Sequence, residues 1–141
     1  MSVTVTLDAN AVAARIKAAS ERALKDSQEQ ILADCNKYCP EDQGTLIWNS
    51  GSHSYYAEEE GNPTLHLLWV SPAARYLYYG LLMVDPVTMS PWAEEGAHKI
   101  LTEVPLNYSK KEASKLWCEK ARAEYGEDWR LIYENALKEN L

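Results

Sequence analysis

Two cysteines stand first among the residues that could do chemistry. Cys35 and Cys39 lie in the stretch "DCNKYCPEDQGTLIWNS", one helical turn apart, at the edge of a break set by Pro40 and Gly44. A redox pair has two residues between its thiols, and this pair has three. A structural zinc site needs four ligands. Beyond this pair the chain offers Cys118 and three scattered histidines, His53, His66 and His98. The expectation is buried thiols that pack as small apolar side chains. His53 and His66 alternate along segments that can pair as strands, which would make them neighbours. No Asp, Cys or Ser is spaced to turn either into a catalytic base. A small metal-dependent enzyme using His53 and His66 with nearby carboxylates is the rival reading. Glu58, Glu59 and Glu60, and likewise Glu94 and Glu95, fall beside turn signals where charge is solvated. The sequence holds neither a phosphate-cradling glycine loop nor a Gly-x-Ser-x-Gly elbow. No residue is assigned a catalytic, cofactor-binding or metal-binding role.

The elements that position these side chains follow from periodicity. Leu7 and Asp8 open a helix, with Asp8 as cap and Leu7 and Val12 as a hydrophobic staple. Val12, Ile16, Ala19, Ala23, Ile31, Cys35 and Tyr38 recur at helical spacing. Pro40 stops the helix by Tyr38 or Cys39. About 30 residues would span ~45 Å, more than the ~37 Å diameter of a compact chain of this length. The helix either bends near Lys25-Asp26-Ser27 or projects beyond the body, and a projecting helix invites a partner. Residues 45 to 57 read as a strand or hairpin arm, with Leu46 and Trp48 dropping into a sheet. Gly61-Asn62-Pro63 makes a turn, and Thr64 to Val70 a strand. A short helix follows Ser71-Pro72 and ends at Gly80, with Tyr76, Tyr79 and Gly80 forming a second corner. Leu81 to Val84 resumes a strand, 87 to 97 is a long loop, and Ile100 to Leu106 is a last strand. Ser109 to Glu112 forms a capping box for a helix anchored by Trp117, with Gly126 ending or kinking it. The sum is an α+β fold: a long N-terminal helix on a small antiparallel sheet, a short connecting helix and C-terminal helices.

The 141 residues favour one domain spanning 1 to 141. With 46% hydrophobic residues, the chain can bury a core without disulfides. No apolar run approaches the ~20 residues of a membrane span. The first residues carry no basic, apolar leader, so a cytoplasm-like compartment, or release from one by lysis, is expected. A formal charge of −7 argues against specific nucleic-acid binding, because phosphate contacts need a basic patch. Nine Tyr, five Trp and no Phe give every large ring a polar handle. Such rings suit either protein interfaces or amphipathic packing.

Three stretches together resemble the phage minor capsid and head–tail joining (tail-completion) proteins of tailed-phage and prophage gene clusters. "NKYCPEDQGTL" is similar to their helix–Pro–x–x–x–Gly–x–Leu corner. "LLWVSPAARYLYYGLLMV" resembles the strand and short helix that carry Ala-Arg-Tyr and Tyr-Gly. "SKLWCEKARAEYGEDWRLIYENAL" resembles the closing two-tryptophan stretch. The likeness spans residue 30 onward and is poor at 87 to 97.

The resemblance implies a non-enzymatic virion component at the head–tail junction, assembled in the bacterial host cytoplasm. It implies no cofactor, neck and tail-tube proteins as partners, and a homo-oligomeric ring, six-fold at the tail end, from a chain that can be monomeric when free. Capsid-surface decoration is the alternative placement. It also implies that Pro40, Gly44, Leu46, Tyr76, Tyr79, Gly80 and Trp117 maintain a scaffold. The contact elements expected are the Tyr/Ser segment with Tyr55 and Tyr56, the loop with Met89 and Trp92, and the N-terminal segment.

Overall fold

The computed structural model describes residues 1–41, 45–71, 74–90 and 98–141, the side chains of Thr45 and Leu101 excepted. Gly44, Trp92, Glu94 and Glu95 lie outside the described residues. The elements run α1 (Ala9–Tyr38), α2 (Thr45–His53), β1 (Tyr55–Glu59), β2 (Asn62–His66), α3 (Ala74–Tyr79), β3 (Leu81–Val84), β4 (Ile100–Pro105) and α4 (Trp117–Asn140). The fold is α+β. A long N-terminal helix packs on a small antiparallel β region and on the C-terminal helix.

Asp8 caps α1, accepting the Asn10 and Ala11 N–H groups at 3.1 Å. The helix runs unbroken for 30 residues. Its first turns, through Ala18, are exposed, so it projects; Leu7 and Val12 are both exposed. From Ala19 onward α1 lies antiparallel to α4. Ser20 bonds Tyr133 at the open end, Trp129 Nε1 donates to Asp34 at 2.7 Å midway, and Tyr38 donates to Glu124 at the closed end. Ala19, Ala23 and Ser27 are fully covered, and such small residues let the helix axes approach. Ser27 fits there because its hydroxyl donates to the Ala23 carbonyl at 2.7 Å.

Residues 45 to 53 form a helix, not a strand. Its period brings Leu46, Ile47 and Ser50 to the core and turns Trp48 outward, 72% exposed. The serines that weaken the helical reading are absorbed by bonds to their own backbone. Ser50 donates to the Ile47 carbonyl at 2.6 Å, and Ser54 to that of Ser50 at 2.6 Å. With β1 starting only at Tyr55, opposite His66, residues 67 to 70 have no strand to pair with. Leu68 N–H goes to the Ser54 hydroxyl instead. The hairpin turns on Glu60 (φ 51°) and Gly61 (φ 79°), one residue earlier than the turn signals suggested.

β1–β2 and β3–β4 are separate two-stranded ribbons. The core sits where the C-terminal end of α1, α2, α3 and the start of α4 meet, around Cys35, Tyr38, Leu46 and Trp117. The Ser109–Glu112 capping box opens no helix; α4 starts at Trp117 without a side-chain cap and continues through Gly126 as one helix. Lys110 has another task. Its ammonium bonds the Asn36 and Cys39 carbonyls at 3.1 and 3.2 Å, closing the negative end of α1. Leu116 is left-handed (φ 52°), its N–H donating to the Tyr78 carbonyl at 2.7 Å.

Candidate functional site

Trp117, at 1% exposure, is the anchor around which the side chains of interest gather. Tyr78 meets it edge-on at 4.7 Å and Trp69 at 6.1 Å between ring centres. The Trp69 indole donates to Asn36 at 2.7 Å, and Asn36 donates to Ser50 at 3.0 Å, tying α1, α2 and the segment after β2 together. Beside this cluster opens a cavity of about 510 Å³ lined by Trp69, Ala74, Arg75, Tyr78, Tyr79 and Trp117, among others. Arg75 makes no ion pair among the described residues, and Tyr79 stands half exposed against the edge of Tyr78. The Trp117 indole N–H has no acceptor among the described residues. The cavity is aromatic, open on one side and bordered by a cation, which suits contact with a partner's side chains.

Gly80 closes the corner after α3. Its φ of +70° suits glycine, and an added Cβ would lie 2.8 Å from Lys115 Cβ. Its N–H donates to the Tyr76 carbonyl at 2.8 Å. Pro40 directly follows Cys39, the last-turn cap of α1, and Leu46 is buried on α2 instead of in a sheet.

Tyr55 and Tyr56 do not share a surface. Strand alternation sends Tyr55 outward to stack on His66 at 4.7 Å, and sends Tyr56 back to α1, where the Lys25 ammonium sits 5.2 Å from its ring. Met89 is exposed, at φ 57°, in a turn that Asp85 holds. The Asp85 carboxylate accepts the Val87 N–H at 2.8 Å, and its carbonyl accepts that of Met89 at 2.9 Å. Val87 and Met89 both point to solvent from that turn.

Cys35 and Cys39 are buried, and the half-buried Cys118 packs against the same core. The neighbouring Cys118, with burial, pushes Cys35 up, and Cys35 in turn pulls Cys118 down. Burial pushes Cys39 up to about 12 and Tyr78 also to about 12. The histidines take separate partners. His53 Nδ1 lies 3.0 Å from the Asn49 carbonyl, while His66 Nε2 lies 2.7 Å from Glu59. Glu58 pairs with Lys17 at 2.9 Å. Among the described residues no three His, Cys, Asp or Glu gather as a metal site, and no helix is long and apolar enough to cross a membrane.

Sequence reasoning missed Trp48, the aromatic cavity and the Lys110 cap. A helical period applied to residues 45 to 53 separates Trp48 from Leu46. The cavity has no local signal, since its walls come from residues 69–71, 74–75 and 78–79 together with the distant Trp117. No family model, curated protein or solved structure matches the chain.

Proposed function

We propose that the chain is a structural subunit of a tailed-phage or prophage particle, acting at the head–tail junction as part of a homo-oligomeric ring. The observation that carries this reading is the unpartnered end of the molecule. Met1, Val3, Val5 and Leu7 are all exposed there, and Val12 and Ile16 extend the apolar face along the projecting turns of α1. Apolar surface of this kind marks a contact with another chain. The resemblance of the three sequence stretches to tail-completion proteins names the kind of assembly, with neck and tail-tube proteins as neighbours. The aromatic cavity by Arg75 and the Val87/Met89 turn supply further contact surface, and the charge of −7 suits a wall past which DNA must slide.

Deleting the gene in the host that carries it and imaging induced lysates tests the proposal. Separate filled heads and finished tails, rejoined on supplying the chain in trans, are the expected result. Intact, infectious particles without the chain would overturn it.

A further inference from the structure

We propose that residues 2–7 of one chain add as a strand along the outer edge of β4 in a second copy, joining copies head to tail. The inference deepens the ring reading above and rests on it for the assembly being built.

The donor is written in the arm. Val3, Val5 and Leu7 alternate with Ser2, Thr4 and Thr6, a period of two with β-branched residues at four of six positions. The three apolar side chains are 78%, 87% and 75% exposed, and the arm makes no hydrogen bond to the rest of the chain among the described residues. The acceptor is β4, also six residues long. β3 covers one of its edges, and among the described residues no third strand covers the other. Ile100 and Val104 are 46% and 54% exposed, Ile100 in the regular pairing and Val104 where β4 bulges between Leu101 and Pro105. Each is an exposed β-branched residue that an apolar side chain of the arm can cover. The other ribbon is a poorer acceptor. Pro63 removes an N–H from β2, and Glu58 and Glu59 line β1. In β4 the only proline is the last residue.

Reach decides between self and neighbour. The Pro105 end of β4 lies at the closed end of the helix pair: Leu106 N–H bonds the Gly80 carbonyl, Leu116 N–H that of Tyr78, and Ser114 N–H that of Tyr38. The arm begins at the opposite end of α1, ~45 Å away. Seven extended residues span at most ~25 Å. The arm therefore cannot lie along its own β4, and a neighbour's β4 is what it fits. Donor and acceptor surfaces differ, so the contact is heterologous and propagates into a ring or filament.

Sedimentation of the full chain and two variants tests this. Val5→Pro removes an arm N–H without touching the folded body, and Val104→Lys charges the exposed acceptor face. The full chain should form concentration-dependent oligomers. Each variant alone should lose every species above monomer at an unchanged melting temperature, and an equimolar mixture of the two should stop at dimers. A full chain that stays monomeric, a Val5→Pro chain that assembles normally, or a mixture without dimers would overturn the inference. Oligomers without particle incorporation would sink the virion reading alone; incorporation by a chain that never uses its arm would sink the arm alone.

Discussion

Trp117 is the side chain on which the fold converges, touched edge-on by Tyr78 and Trp69 and packed with Cys35 and Leu46. Truncation leaves a cavity that the rigid ends of α1 and α4 cannot close. Trp117→Ala should cost ~3–5 kcal/mol in chemical denaturation; a loss of a few tenths would show that the ring is dispensable. The thiols give a pH signature. Cys39 and Tyr78 keep their protons up to about 12 in the folded chain, against ordinary values of 9.0 and 10.0. Unfolding therefore releases protons in that window, so their contribution is whole below about pH 9 and is lost as pH rises through about 12. Cys118, pulled down by Cys35, works in the opposite direction. The expected outcome is a urea midpoint that falls between about pH 9 and about pH 11, less steeply in Cys39→Ala. A flat or rising midpoint would contradict the burial argument. None of these contacts was legible from spacing. Cys35 and Cys39 were expected to be buried thiols and are, but Cys118 joins them only through the folding of α4 onto α1.

At the scale of elements, α1 was legible because its stops are local: Asp8 caps one end and Pro40 ends the other. Residues 45 to 53 were not. Their serines favour turns in isolation, and helix forms because Leu46, Ile47 and Ser50 find the core together while the serine hydroxyls bond backward. The 109–112 capping pattern misled for a related reason. Lys110 is drawn to the carbonyl end of α1, a partner more than 70 positions away. Lys110→Met should then lower stability by ~1–3 kcal/mol, since it orphans carbonyls at a helix end. An unchanged denaturation midpoint would remove Lys110 from that role. Gly126 sits within α4, where an added Cβ would make one ordinary contact, 3.6 Å from Arg122 Cγ. Gly126→Ala should raise stability by ~0.5–1 kcal/mol, read from the same denaturation curve. A loss would mean that glycine is needed there for a helix bend.

For the whole molecule, a helix longer than the body it packs on leaves one end clothed and the other bare. The sequence offered either a bend near Lys25-Asp26-Ser27 or a projection of the helix's first turns. Ser27 is buried and bonded to the Ala23 carbonyl within an unbroken helix, and the first turns extend into solvent. That bare end, with the open ribbon β3–β4 at the other, is the physical basis for reading the chain as a part of something larger. The most direct measurement is absolute quantification of the chain by mass spectrometry in purified particles from the induced host. A few copies per particle, in step with neck proteins, are expected. Hundreds of copies would contradict the neck position in favour of surface decoration. Absence from particles, with the chain abundant and soluble in the lysate, would contradict the structural role itself.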